Sequence, residues 1–239
     1  MLFEMIQSLS AIVFRNLQTI EHFTANPDLV EEFFYLVARF IGYDCRTPLL
    51  SVRFVTRTFD SATPETYTDI ASYIQSPPLL SSILQCGVIG LRLEHREAHQ
   101  GVLHCFEKVI DAGLDAPGTF TPQLAEQREL VRSVILQPTV GSAIVEGILR
   151  SLSGELPAYA LDENHGSLTG VLWKLYLLSP AQLTEWAAAA LGSISVEVAS
   201  IPEKEGLMRL IASEPPQGPF TDAIMGFSAR CRERARSRA

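Results

Sequence analysis

Apolar residues recur along this chain at steps of three and four, and that helical period limits the possible folds more than any other feature. The first series comprises Leu2, Ile6, Leu9, Val13, Leu17 and Ile20. This spacing places the side chains on one face and predicts a single long helix at the start of the chain. The alternation typical of strands is scarce, with residues 193–200 as the one short candidate. The sequence therefore predicts an all-α fold.

The same pattern returns after Asn26, where Pro27 suits a first helical turn and Asp28 complements the positive end of the helix dipole. That helix reaches about residue 41, and eight more helical segments follow. Their expected bounds are 79–93, 94–112, 125–136, 140–152, 167–178, 181–191, 203–213 and 221–236. Successive hairpins of this size cannot bury their apolar faces alone. They are typical of an α-solenoid, a superhelix of stacked antiparallel helix pairs. A compact helical bundle is the alternative architecture.

Composition predicts a folded, soluble chain, because 47% of its 239 residues are hydrophobic and 19% are charged. The net charge of -8 disfavours direct nucleic-acid binding, which needs a basic face, and favours attraction of a basic partner. The N-terminal residues lack a signal-peptide pattern, and Glu4, Gln7 and Arg15 interrupt their apolar run. Four scattered cysteines fit a reducing compartment. We therefore expect an intracellular protein that does not enter membranes.

Residues 42–74 break the helical rhythm, with threonine- and proline-containing composition and no sustained period. A loop of this length is unusual in a structure of short turns. Joining residue 41 to Gln75 in thought restores the continuity of helix, short loop and helix. The segment is interpreted either as a surface insertion or as a retained intron. In both cases we expect low order and poor packing from about residue 44 to residue 72.

The most tempting catalytic pattern is His95-Arg96-Glu97-Ala98-His99, because two histidines four residues apart on a helix can share a metal ion. The order differs from the H-E-x-x-H of zinc proteases, and Glu97 is expected to point away from both histidines. No phosphate-binding glycine loop and no G-x-S-x-G elbow occurs. We therefore predict no enzyme activity, no cofactor and no metal site. A small helical metalloenzyme centred on His95 and His99 is the remote alternative.

Carboxylates cluster at the starts of two predicted helices and form a candidate electronegative binding strip. With the arginine that accompanies them, the candidate binding residues are Asp28, Glu31, Glu32, Glu94, Arg96 and Glu97. The alternative is that helix N-termini favour carboxylates whatever the function. The arginines near the C-terminus, from Arg230 to Arg238, are interpreted mainly as a solvated, fraying end.

Two segments resemble the C-terminal region of the karyopherin-β nuclear import receptors, in the branch of transportin-SR and importin thirteen. They are NPDLVEEFF at 26–34, continued by ARFI at 38–41, and LEHREA at 93–98. The second is similar to the family's L-D-H-R-E-A run. Residues 127–136 and 170–173 also fall where the family has similar helices. The resemblance covers most of the chain apart from residues 42–74.

The resemblance implies a superhelix of HEAT or armadillo type, spanning residues 1–239 as the C-terminal part of a longer receptor. It also implies the import of basic protein cargo, such as arginine/serine-rich or RNA-binding proteins, by a receptor that shuttles between nucleus and cytoplasm. Nuclear pore proteins would be partners, and Ran-GTP would bind through N-terminal repeats that have no counterpart here. An unrelated helical-repeat scaffold without an import role is the second hypothesis.

Overall fold

The computed structural model describes residues 2–41, 71–114, 122–161 and 164–237. Helices make up 84% of these residues, and no strand occurs among them. In chain order the α-helices are α1 (Leu2–Asn16), α2 (Ile20–Ala25), α3 (Pro27–Ile41), α4 (Pro77–Gly90), α5 (Arg96–Gly113), α6 (Pro122–Ile135), α7 (Pro138–Arg150), α8 (Ala158–Leu161), α9 (His165–Leu178), α10 (Pro180–Ser193), α11 (Ile201–Ala212) and α12 (Gln217–Arg236). A π-helical turn, Ser151–Glu155, follows α7.

The helices form two packed layers. In one layer α3 packs on α5, α5 on α9, and α9 on α12. In the other, α4 packs on α7, α7 on α10, and α10 on α11. Contacts between α4 and α5, α9 and α10, and α11 and α12 join the layers, so each of these pairs of consecutive helices spans both layers. The predicted all-α solenoid is confirmed.

Local sequence explains where these helices begin. Proline lacks a backbone N–H and has a fixed φ, so it is tolerated best in the first helical turn, where that donor has no partner within the helix. The helices that begin on proline are α3, α6, α10, α4 and α7. At α11, Ser200 and Glu203 form a capping box, in which the Glu203 carboxylate accepts from the Ser200 backbone N–H at 2.7 Å. The helix boundaries therefore follow from residues that the sequence displays.

Small residues let the layers approach closely. A Cβ placed on Gly87 of α4 would lie 2.8 Å from Cζ of Phe106 in α5, which is too close for any carbon atom. Likewise, a Cβ on Gly147 of α7 would lie 2.7 Å from Cδ1 of Leu91. Phe106 and Leu91 are completely buried. The glycines therefore give large side chains of the neighbouring element room to pack against helical backbone.

The prediction of a single long N-terminal helix, made from the apolar period, is wrong in one respect. The chain leaves the helix after Asn16 and re-enters it at Ile20, with Thr19 in an extended conformation. This break reorients α2 so that Phe23 is completely buried and lies against Gly90 of α4. Burial of an aromatic side chain outweighs the continuity of one helix.

The short strand considered for residues 193–200 is also wrong. Ser193 ends α10, and the residues after it form a turn in which the N–H groups of Val198 and Ala199 both donate to the carbonyl of Ser195, at 3.0 Å each. The turn buries Ile194 and Ala199 between α10 and α11. The alternation of polar and apolar residues therefore comes from a compact connector with two buried apolar side chains.

The predicted irregular segment lies largely outside the described residues, because the description resumes at residue 71. Residues 71–74 form one helical turn and Ile74 is buried. The irregular segment, which was expected to extend to about residue 72, therefore ends no later than residue 70. The insertion itself stays a prediction.

We predict that replacing residues 42–70 by a short glycine-serine linker changes the free energy of unfolding by no more than about 1 kcal/mol, because the entropy cost of a loop grows slowly with its length. A longer deletion that also removes residues 71–74 should cost about 2–3 kcal/mol more, since it removes buried Ile74. Urea denaturation measures both. Equal stabilities for the two deletions, or a large loss from the shorter one, would contradict the prediction.

Candidate functional site

The predicted binding residues lie on two helices that pack directly on each other. Asp28, Glu31 and Glu32 belong to the first turns of α3, and Glu97 belongs to the first turn of α5. The two helices approach so closely that a Cβ on Gly101 would lie 3.2 Å from the carbonyl oxygen of Glu31. Residues that are 66 positions apart in sequence, Glu31 and Glu97, are thereby brought to one surface.

Tyr35, one helical turn after Glu31, is close enough to Glu31 and Glu97 for both charges to act on its phenol. Burial raises the pKa of the Tyr35 phenol, and the negative charges of Glu31 and Glu97 raise it further. The Tyr35 ring also lies against His104 of α5, with 5.5 Å between ring centroids. The carboxylates and the two rings form one surface on α3 and α5, which we call the α3–α5 acidic surface and define by Glu31, Tyr35, Glu97 and His104. Carboxylates next to aromatic faces can bind a guanidinium or ammonium group.

Farther along α5, positive charge from α9 offsets the acidic residues. Lys174 donates to the Asp111 carboxylate at 2.8 Å, and its Nζ lies 3.9 Å from Glu107. Burial raises the pKa of Glu107, and Lys174 opposes this shift. For His104, burial and the neighbouring cations Lys108 and Lys174 lower the pKa. Lys174 therefore offsets the negative charge of Glu107 and Asp111 in the later turns of α5.

The loop before α5 contains the remaining candidates. Glu94 accepts a hydrogen bond from the Tyr159 hydroxyl at 2.6 Å, although Tyr159 is 65% exposed. Arg96 pairs with Glu97, with 2.9 Å between Nη2 and Oε1. Arg96 therefore offsets part of the negative charge at the start of α5. The structure thus brings Glu31 and Glu97 together, and leaves Glu94 at a separate contact with Tyr159.

The expectation that Glu97 points away from both histidines is wrong for His95. That residue is the N-cap of α5: its Nδ1 accepts from the Ala98 N–H at 3.4 Å. Because the N-cap lies outside the helical spiral, the His95 ring reaches within 3.7 Å of the Glu97 carboxylate. The pKa of Glu97 is lowered by hydrogen bonding at its own backbone N–H and, to a smaller extent, by Arg96 and His95.

His95 and His99 have different surroundings. His95 is exposed, whereas His99 is completely buried, and its Nδ1 lies 3.1 Å from the side-chain nitrogen of Asn164. Asn164 also donates to the carbonyls of Ala160, at 3.2 Å, and Arg96, at 3.4 Å. Within the described ranges no group of three or more histidine, cysteine, aspartate or glutamate side chains could hold a metal ion. The hydrogen bonds of His95 and Asn164 position the start of α5.

Sequence reasoning missed four residues of this region. Tyr35 and His104 could have been found from their spacing. Tyr35 follows Glu31 by one helical turn and His104 follows Glu97 by two, so each lies on the same helix face as a predicted binding residue. Asn164 and Tyr159 carried no signal, because they reach the start of α5 from more than 60 positions away.

The interpretation of the C-terminal arginines as a solvated end is wrong for two of them. Helix α12 continues to Arg236. Arg234 pairs with Glu203 of α11 at 2.8 Å, and Arg232 donates to the carbonyl of Leu156 at 3.0 Å. These side chains fasten α12 to α11 and to the segment after the π-helical turn.

In the part of the chain that the structure describes, none of the helices combines the length and the apolar character that a membrane crossing requires. No protein-family model matches the chain. Over 190 residues the chain is 26% identical to "Transportin MOS14" of Arabidopsis thaliana. The matched region is 80% of this chain but only 16% of the length of that relative. The similarity thus concerns a limited part of a much longer protein.

Proposed function

We propose that this chain is a cargo-binding part of a karyopherin-β nuclear import receptor. Two findings support the family assignment: the two-layered helical solenoid and the similarity to a transportin over most of the chain. A solenoid offers extended surfaces made from successive helices, which suit the binding of another protein. In this proposal the receptor shuttles between nucleus and cytoplasm, with Ran-GTP and nuclear pore proteins as partners of the whole receptor.

The cargo is proposed to be basic, and the α3–α5 acidic surface is proposed to bind it. The observation that carries this proposal is the close packing of α3 on α5, which brings Glu31, Tyr35 and Glu97 to one surface. An arginine side chain of the cargo could stack on the Tyr35 ring while its guanidinium pairs with both carboxylates. The chain's net charge of -8 would also steer a basic partner towards it. Asp28 and Glu32 extend the same negative surface and would contribute to steering, because both are exposed.

The predicted result is that the double variant Glu31→Lys/Glu97→Lys binds an arginine/serine-repeat peptide about 10- to 50-fold more weakly than the parent chain. Reversing two charges that contact the peptide replaces attraction by repulsion, and each tenfold change corresponds to about 1.4 kcal/mol. Fluorescence anisotropy of a labelled peptide measures the dissociation constant. Affinity should also fall as salt is added.

The matched control is Glu185→Lys/Glu205→Lys, which makes the same change in net charge at exposed positions of α10 and α11. It should weaken binding less than about threefold, since only long-range steering is altered. Equal losses for the two double variants would contradict a defined site, as would the absence of saturable binding. Circular dichroism confirms that both variants fold.

The second hypothesis, an unrelated scaffold with no import role, predicts a different result in cells. If the chain acts in import, cargo carried by the whole receptor should accumulate less in the nucleus when Glu31 and Glu97 are reversed. Normal nuclear accumulation, together with lost peptide binding, would favour the scaffold.

A further inference from the structure

A lysine of α9 already occupies two carboxylates near the end of α5. Lys174 donates to the Asp111 carboxylate at 2.8 Å, and its Nζ lies 3.9 Å from the Glu107 carboxylate. Glu107 also lies against the backbone of α9, because a Cβ on Gly170, one turn before Lys174, would be 3.1 Å from its Oε1. We call Glu107, Asp111 and Lys174 the Lys174 cluster. The structure itself therefore shows these two carboxylates holding an ammonium group.

The Lys174 cluster adjoins the α3–α5 acidic surface. Glu97, His104 and Asp111 recur at steps of seven residues, close to two helical turns, so they lie near one face of α5. The helical rise of about 1.5 Å per residue puts about 21 Å between Glu97 and Asp111. His104 connects the two ends: burial lowers its pKa, and the charges of Lys174 and Asp111 also act on it. One face of α5 therefore carries carboxylates at both ends, and those at the later end hold a cation from a neighbouring helix.

The ion pairs at the two ends differ in exposure. The side chains of Arg96 and Glu97 are 46% and 45% exposed, so water screens this pair and an incoming guanidinium replaces Arg96 at little cost. Lys174 and Glu107 are each only 25% exposed. Displacing Lys174 would leave the half-buried Glu107 without the cation that opposes the burial-raised pKa of its carboxyl group. A partner cation therefore competes well at the start of α5 and poorly at its end.

We propose that Lys174 is a specificity-determining residue that ends the cargo-binding surface. By occupying Glu107 and Asp111 it keeps cargo arginines from binding there, so the outer face of α5 offers a cation site only at its start. An extended peptide covers about 3.3 Å per residue, so an arginine about six positions beyond the one at Glu97 reaches Lys174 and gains no carboxylate. The inference rests on the proposed function, because it concerns how much of a basic cargo the surface binds.

Lys174→Met tests the proposal, because it keeps an unbranched side chain and removes the charge. The probes are two serine peptides of equal length and charge, each with two arginines, placed either six or two positions apart. Their dissociation constants come from competition with a labelled arginine/serine-repeat peptide in fluorescence anisotropy. The variant should bind the widely spaced peptide about tenfold more tightly than the parent chain does, since that peptide reaches both ends of α5 at once. The closely spaced peptide should change less than about threefold. Adding Asp111→Asn to the variant should remove the gain, because Asp111, 41% exposed, supplies the freed charge.

The matched control is Lys108→Met, which makes the same change in net charge one position from Glu107 but leaves Lys174 on its two carboxylates. It should change both affinities less than about twofold, as should Asp111→Asn in the parent chain. An unchanged affinity in Lys174→Met, or an equal gain for the two peptides, would overturn the proposal. So would weaker binding by Asp111→Asn alone, since cargo would then already displace Lys174. A parent chain that binds no arginine/serine-repeat peptide would contradict the proposed function and this inference with it. Circular dichroism confirms that each variant folds.

Discussion

Gly141→Ala is expected to destabilise the fold by about 2–4 kcal/mol, although alanine is the better helix former. Gly141 lies in the first turn of α7, and the Trp186 ring of α10 lies directly on its Cα. An added Cβ would come within 2.2 Å of Trp186 Cη2 and within 2.7 Å of the Ile135 carbonyl oxygen. Overpacking of a core usually costs about 1–3 kcal/mol, and more when neither neighbour can move. Here one neighbour is a buried indole and the other is backbone.

Gly206→Ala is the matched control, because Gly206 is also within a helix but has no atom within 4 Å of its would-be Cβ. It should stabilise the chain by about 0.5–1 kcal/mol through helix propensity alone. The free energies of unfolding come from urea denaturation. In addition, Trp186→Leu should remove most of the cost of Gly141→Ala in a double-mutant cycle. A neutral Gly141→Ala, or an unchanged cost in the Trp186→Leu background, would show that the close approach is not the cause.

The helices were predictable because their signals are local. Proline at first-turn positions and the three-and-four period mark the segments, and the all-α solenoid followed from them. The break between α1 and α2 was not predictable, because Leu17 and Ile20 continue the period of α1. What decides the break is the burial of Phe23 against Gly90, a contact that only the assembled layers contain. Tertiary burial overrides local propensity at such points.

The candidate site was predictable in part. Carboxylates at two helix starts are visible in the sequence, but helix dipoles alone can account for them. What distinguishes Glu31 and Glu97 is their common neighbour, Tyr35, and that depends on how α3 and α5 pack. The role of His99 could not be predicted from the sequence, because its ring is buried beside Asn164, which lies 65 positions later in the chain. The remote alternative of a metal ion shared by His95 and His99 requires neighbouring rings, whereas the fold places His95 at the surface and His99 in the core.

Burial of His99 should make the stability of the chain depend on pH below about 6.5. Burial lowers the pKa of His99 from 6.5 to about 4, and the backbone of Leu91 acts weakly in the opposite direction. The unfolded chain therefore binds a proton at a higher pH than the folded chain does. The stability from neutral His99 is fully present above the unfolded pKa and is lost as pH falls towards 4. Linkage converts the difference of about 2.5 units into a loss of about 3 kcal/mol.

His99→Gln should flatten this dependence, because glutamine does not titrate and its side-chain oxygen can still accept from Asn164. Between pH 6.5 and 4.5 the parent chain should lose about 2–3 kcal/mol more stability than the variant. The control is His104→Gln: burial also lowers the pKa of His104, but this ring is only half-buried, so its removal should flatten the curve much less. Carboxylates whose pKa values are lowered, such as those of Glu97 and Glu203, titrate in all three proteins. The difference between the stability curves of the parent and a variant therefore gives the contribution of the replaced histidine. Parallel curves for the parent and His99→Gln would mean that the His99 ring accepts a proton in the folded state as readily as in water. Because His99 is bound to Asn164, which also donates to the carbonyl of Arg96, its protonation would disturb the start of α5 and the acidic surface formed there.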